Sequence, residues 1–156
     1  MNRMPGILSY LLGFLIFAAL SAQQAEAALG GSADSVATDR KALSAVHRAT
    51  TASTGYSVQE IASDATTVRE YVSSSGVVFA VAWNGLMHPD LTTLLGSYSG
   101  EFKTALQNTT RKQGIRRQRV QSDNIVVEKW GHMRNLQGRA YVPALIPSGV
   151  TIDEIK

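Results

Sequence analysis

The stretch Val77-Val78-Phe79-Ala80-Val81-Ala82-Trp83 decides the fold, because no other run beyond residue 27 is as apolar. Its valine and aromatic content favours a β-strand. Successive side chains of a strand point to opposite faces, and here both sets are apolar. The odd-numbered residues should therefore cover one face, and the even-numbered residues the other. This pattern predicts a central strand that is buried on both sides.

Shorter strand-like segments flank this central strand. Residues 56–59 and 68–72 precede it, and residues 125–130 and 138–142 follow it. The Ser-Ser-Ser-Gly run at 73–76 has the composition of a turn. We therefore predict an antiparallel sheet of about five strands, in which the first three form an N-terminal meander.

One amphipathic helix should follow the central strand. Pro89 suits the first position of a helix, and Asp90 places negative charge in its first turn. Apolar residues then recur at helical spacing, namely Leu91, Leu94, Leu95, Tyr98, Phe102 and Leu106. Such a stripe packs on one face of a sheet, which predicts an α+β fold. The helix should end near residues 107–109.

The N-terminal segment, residues 1–27, has the parts of a cleavable signal peptide. Arg3 supplies a positive charge, residues 7–20 are mostly apolar, and the small residues at Ala25 and Ala27 fit cleavage before Ala28. The apolar run would be about 21 Å long as a helix, whereas a bilayer core is roughly 30 Å thick. We expect a periplasmic or secreted protein with no stable membrane span after cleavage. An uncleaved anchor is the alternative.

Residues 28–55 are rich in Ala, Ser, Thr and Gly and contain no aromatic residue. Such a composition offers little apolar surface to bury, so we predict a flexible leader ahead of a single α+β domain at 56–156. The chain contains no cysteine. This excludes disulfides, thiol catalysis and a cysteine-linked lipid anchor.

Several segments carry a family resemblance, in the order 28–31, 68–72, 76–83, 89–98 and 131–143. Their sequences include Ala-Leu-Gly-Gly, Val-Arg-Glu-Tyr-Val and Gly-Val-Val-Phe-Ala-Val-Ala-Trp. In this order the chain resembles domain of unknown function 2844, a family of exported Gram-negative bacterial proteins. The resemblance implies a bacterial protein of the periplasm or exterior. It implies no activity, no cofactor and no catalytic residue.

One cluster of basic residues stands out, formed by Arg111, Lys112, Arg116, Arg117 and Arg119. Arginine binds phosphate and carboxylate groups through two parallel hydrogen bonds, so the cluster is a candidate site for an anionic envelope component. The alternative is a solvated loop whose positive charge suits the C-terminus of the preceding helix. The formal net charge is only +3. This mild excess does not indicate a nucleic-acid partner.

A second set of polar residues, Glu70, His88, Asp90 and His132, suggests a metal site or an acid–base site. His88 and His132 each adjoin a methionine, and imidazole with thioether is a ligand pair for copper. Glu70 has two interpretations, a buried acid in a cleft or, the favoured one, an ion pair with a neighbouring strand on the solvent face. Asp90 is already explained by the helix start.

The sequence thus favours an exported, non-enzymatic binding or accessory module of the cell envelope without a cofactor. A small metal-handling protein or enzyme that uses Glu70, His88, Asp90 and His132 is the alternative. A third possibility is a structural subunit that pairs with an envelope protein through its leader or an edge strand.

Overall fold

Seven antiparallel strands form a single sheet. The structure, a computed structural model, describes residues 29–33, 35–110, 114 and 116–156. In chain order its elements are α1 (Ser35–Ala42), β1 (Val46–Ser53), β2 (Tyr56–Ala62), β3 (Thr66–Ser73), β4 (Val78–Gly85), α2 (Leu91–Leu95), α3 (Ser99–Asn108), β5 (Gln118–Gln121), β6 (Val126–His132) and β7 (Asn135–Tyr141). The predicted signal peptide and its cleavage site at Ala27 and Ala28 lie outside the described residues, as do Arg111 and Lys112.

The strand order is β1-β2-β3-β4-β7-β6-β5, so two meanders meet where β4 pairs with β7. The chain between them forms α2 and α3. This arrangement confirms an antiparallel α+β fold with an N-terminal meander. The predicted strand number of about five is wrong, because β1 and β5 add to it.

The first of these extra strands lies in the segment predicted to be a flexible leader. All eight residues of β1 are exposed, and the strand is held through backbone pairing with β2. A search for buried apolar side chains therefore misses it. The same segment also supplies α1 and Leu29, which is only 2% exposed and whose backbone N–H donates to Leu94 O at 3.1 Å.

The central strand β4 is buried on both faces, as predicted. The predicted assignment of its faces is wrong at Val78 and Phe79, because β4 contains a β-bulge. Tyr71 of β3 pairs with Ala80 and the next residue pairs with Val78, so Phe79 is an extra residue. The extra residue shifts the alternation by one position. Val78 consequently packs with the helices, whereas Phe79 packs on the opposite face.

The apolar stripe after β4 forms two helices instead of one. Asp90, and not Pro89, begins the first, since its carboxylate accepts a hydrogen bond from the Thr92 N–H at 2.8 Å. Gly96 then adopts φ 49°, which interrupts the helical path before α3. Leu94, Leu95 and Phe102 are nevertheless buried against the sheet. No helix in the described part of the chain combines the length and apolar character that a membrane crossing requires.

The opposite face of the sheet is covered by the C-terminal segment, residues 143–156. Ile155 is fully buried there beside Phe79 and Tyr141. The Tyr71 hydroxyl donates to Lys156 O at 2.9 Å, which fastens the end of this segment to β3. The central strands are thus packed on both faces, by the helices on one side and by the C-terminal segment on the other.

Candidate functional site

A cleft beside the predicted basic cluster lies where β5 is shorter than β6. Strand β5 begins only at Gln118, which pairs with Lys129, whereas β6 continues beyond Lys129 to His132. The unpaired end of β6 leaves a cleft of about 500 Å³ beside the C-terminus of α3. We call it the basic cleft. Its walls are formed by His88, Thr109, Thr110, Arg116, Arg117, Gln118, Arg119, Lys129, Trp130, Gly131 and Leu136.

The structure brings three of the five predicted basic residues into this cleft, and it adds a fourth cation from β6. The predicted three are Arg116, Arg117 and Arg119, and the added one is Lys129. Arg117 and Arg119 keep 63% and 53% of their side-chain surface exposed, so a ligand can reach both. These three residues of the cluster are therefore part of a concave site.

Behind the cleft lies Glu128, a carboxylate whose side chain is only 2% exposed. It accepts from the Arg139 Nε at 2.7 Å, and Arg117 and Arg119 approach its other oxygen at 3.3 and 3.6 Å. Burial alone would raise the pKa of Glu128. The hydrogen bond from Arg139 and the charges of Arg139, Arg117 and Arg119 outweigh burial and lower the pKa instead. Glu128 is consequently ionised at neutral pH and orients the arginines.

Trp130 forms the aromatic part of the wall. Its indole Nε1–H donates to the Gln137 side-chain oxygen at 3.0 Å. The guanidinium carbons of Arg117 and Arg139 lie 5.9 and 5.7 Å from its ring centroid. Both distances are within the range of cation–π attraction. Trp130 therefore helps to hold the two arginines in place.

His88 lies on the wall of the cleft and is held by a buried neighbour. The Trp83 indole Nε1–H donates to His88 Nδ1 at 2.9 Å, which assigns the ring proton of the neutral form to Nε2. Burial, followed by the positive charge of Lys129, lowers the pKa of His88. The imidazole is consequently neutral at pH 7 and does not act as one more cation.

The four residues of the alternative prediction are not brought together. His88 contacts Trp83, Asp90 caps α2, His132 is exposed at the end of β6, and Glu70 is buried under α1. Within the described ranges, no three His, Asp or Glu side chains are grouped so that they could hold a metal ion. The arrangement gives the metal hypothesis no support.

Glu70 is a buried acid, so the favoured interpretation, an ion pair on the solvent face, is wrong, but Glu70 does not line the basic cleft. The surface ion pair on this part of the sheet is formed instead by Arg69 and Glu60, 3.0 Å apart. Glu70 and Asp39 of α1 are both fully buried, and the four carboxyl oxygens find no hydrogen-bond donor among the described residues. A proton shared between the two acids supplies the missing donor. Burial raises the pKa of both, and the charge of Asp39 raises that of Glu70 further.

Sequence reasoning missed Asp39, Glu128 and Lys129. Asp39 lies in the segment predicted to be a leader, so nothing in the sequence marked it as buried. Glu128 and Lys129 carried a usable signal, because Arg117 and Arg119 are two residues apart and would share a face of a strand. Pairing that strand with residues 126–129 would have placed Glu128 beside them. This pairing was missed because β5 has only four residues, which is too short to give a clear strand pattern.

Comparison with known proteins bears on the resemblance noted in the sequence. No curated protein and no solved structure shows significant similarity to this chain. One family model, described as "Protein of unknown function (DUF2844)", matches residues 25–155. The match includes the whole sheet and every residue of the basic cleft. The chain therefore belongs to the DUF2844 family of proteins of unknown function.

Proposed function

We propose that this protein is an exported, non-enzymatic module of the bacterial cell envelope that binds an anionic envelope component in the basic cleft. One observation carries the proposal. Four cationic side chains, Arg116, Arg117, Arg119 and Lys129, line a single concave site of about 500 Å³. Clefts lined by one sign of charge concentrate ligands of the opposite sign.

The charges around the cleft are unbalanced in favour of the cations. Glu128 is shared by three guanidinium groups, those of Arg117, Arg119 and Arg139. The single charge of Glu128 offsets only part of the repulsion between these groups, and an additional anion would offset more of it. A phosphate or carboxylate group in the cleft would supply that anion and accept paired hydrogen bonds from arginine.

Binding is favoured over catalysis by the position of the titratable groups. The two acids with raised pKa values, Asp39 and Glu70, are fully buried and do not line the cleft. His88 does line it, but its Nδ1 is occupied by the Trp83 N–H. A general base must reach the proton it removes, so these groups are poorly placed for acid–base chemistry.

Export is supported by the signal-peptide pattern of residues 1–27 and is tested by the mass of the protein recovered from the cell envelope. The exported form should begin at Ala28. A product that retains Met1 would replace the soluble module with a membrane-anchored one.

Anion binding is tested by calorimetric titration with inorganic phosphate and with vesicles containing anionic lipid at low ionic strength. Arg116→Ala should weaken binding about tenfold, the effect of losing one charge-assisted hydrogen bond. Arg48→Ala is the matched control, because Arg48 is an exposed arginine on β1 outside the cleft. Added salt should weaken binding by the unaltered protein. Equal binding by Arg116→Ala and Arg48→Ala, or no binding at all, would overturn the proposal.

A further inference from the structure

His88 belongs to two cavities, the basic cleft and a smaller groove of about 170 Å³. We call the second one the apolar groove. It lies between the start of β1, the turn from β2 to β3 and the segment before α2. Its walls are formed by Leu43, Ala45, Ile61, Ser63, Ala65, Thr66, Val68, Met87, His88, Pro89 and Asp90. His88 thus lines both cavities.

The side chains of Ser63, Thr66 and Asp90 in the walls of the groove already have hydrogen-bond partners within the protein. The Ser63 hydroxyl accepts from the Thr66 N–H and donates to the Thr66 carbonyl, both at 3.1 Å. The Thr66 hydroxyl donates to Met87 O at 2.8 Å, and the Asp90 carboxylate accepts from Thr92 N–H at 2.8 Å. Apart from these groups and His88, the walls of the groove are formed by apolar residues. An alkyl segment can enter without leaving the polar groups unpaired.

The groove also has apolar residues at its rim. Leu86 and Met87 are 56% and 61% exposed, in the turn that leads from β4 toward α2. Large apolar side chains that are exposed beside a groove are typical of ligand-binding sites. The aliphatic wall and this rim therefore favour the same kind of occupant.

We propose that the ligand is a small amphiphile, whose phosphate group binds in the basic cleft and whose alkyl chain extends past His88 into the apolar groove. This inference rests on the proposed function, because it identifies the class of anion that the cleft binds. Positive charge on one side of His88 and aliphatic surface on the other match the two ends of such a molecule. A methylene group and a water molecule are similar in size, about 30 Å³. The groove therefore accommodates roughly six carbons.

The test is a series of phosphate monoesters titrated by calorimetry below their aggregation concentrations: inorganic phosphate, then ethyl, butyl, hexyl and octyl phosphate. Each added methylene should raise the affinity about threefold to fourfold until the groove is full. We expect the increase to continue to hexyl phosphate and to be small from hexyl to octyl. Arg116→Ala should lower the affinity for every member of the series by a similar factor.

A variant that fills the groove tests the position of the chain. Ala45→Leu adds bulk to the wall and should abolish the preference for hexyl phosphate over inorganic phosphate, while phosphate itself binds as before. Ala52→Leu, on an exposed position of β1, is the matched control and should retain the preference. If Ala45→Leu does not fold, the chain-length series in the unaltered protein still decides.

The outcomes separate the two proposals. Binding of inorganic phosphate without any dependence on chain length would overturn the amphiphile and leave the anion-binding function intact. A preference for hexyl phosphate that persists in Ala45→Leu would also overturn this placement of the chain. Failure of every member of the series to bind would overturn both.

Discussion

Asp39 of α1 and Glu70 of β3 form a carboxyl pair in the interior, with neither side chain exposed to solvent. Two ionised carboxylates would repel each other there and lack a donor, so at neutral pH the pair holds a proton. Burial raises the pKa of Asp39 to about 6. Burial and the charge of Asp39 raise the pKa of Glu70 to about 9, so Glu70 carries the proton and donates to Asp39. This contact fastens α1 to the sheet.

The pair makes the stability of the protein depend on pH. In the unfolded chain the two carboxyl groups have their ordinary pKa values of 3.8 and 4.5, so the folded state holds more protons between about pH 4 and pH 9. The stabilising contribution of this pair is therefore fully present below the unfolded pKa values and is lost as pH rises toward about 9. Where the folded state holds one proton more than the unfolded chain, each unit of increase in pH lowers the unfolding free energy by about 1.4 kcal/mol. Urea denaturation across this range measures the slope.

Glu70→Gln isolates this effect, because the amide still donates to Asp39 but no longer titrates. We expect the decline in stability between about pH 6 and pH 9 to flatten in this variant. Glu60→Gln, which removes an acid paired with Arg69 on the solvent side, should keep the original slope. A slope that is the same in Glu70→Gln as in the unaltered protein would show that Glu70 does not carry the proton.

Loss of the Glu128 charge should destabilise the protein strongly. Glu128→Gln leaves Arg139, whose side chain is 13% exposed, without its counter-charge. Removal of one partner from a buried pair lowers the unfolding free energy by about 3 kcal/mol. The ion pair of Glu60 and Arg69, whose side chains are 27% and 33% exposed, serves as the comparison. Glu60→Gln should lower the unfolding free energy by less than about 1 kcal/mol. Urea denaturation at pH 7 measures both, and similar losses would contradict the role given to Glu128.

Gly138 of β7 is required by the indole ring that lies against it. A Cβ at this position would overlap the Trp83 side chain, its partner in register on β4. Gly138→Ala should therefore lower the unfolding free energy by about 2 kcal/mol. Gly100→Ala in α3, where a Cβ meets nothing within 4 Å, should instead raise it by about 0.5 kcal/mol. Thermal denaturation of the two variants should shift in opposite directions.

The neutral state of His88 can be measured by nuclear magnetic resonance of the imidazole nitrogens. We expect the pKa of His88 to lie below the ordinary histidine value of 6.5, with the proton of the neutral ring on Nε2. Lys129→Gln should raise this pKa, because the variant removes a positive charge that opposes protonation. Trp83→Phe removes the donor to Nδ1, so the neutral ring of His88 should then carry its proton on either nitrogen. A ring that is protonated on Nδ1 in the unaltered neutral form would contradict the hydrogen bond.

The chain by itself determined the elements whose signal is local. The apolar run at 77–83 defined the central strand, because a strand covered on both faces has no polar alternation. Pro89, Asp90 and the leucines after them placed the start of α2 two residues too early, at Pro89 instead of Leu91, because helix-start signals act within a few residues. The segments that resemble DUF2844, taken in their order along the chain, identified the family from the sequence alone, and the family model confirms it.

The tertiary structure alone decided the contacts that join distant segments. β1 has no buried side chain, so only its backbone pairing with β2 makes it a strand. The bulge at Phe79 depends on register with β3, and register is a property of two strands together. Asp39 and Glu70, far apart in sequence, were brought together by α1, and their raised pKa values arise from burial that no local pattern encodes. The basic cleft likewise exists because β5 is shorter than β6 and leaves the C-terminal end of β6 unpaired on that side.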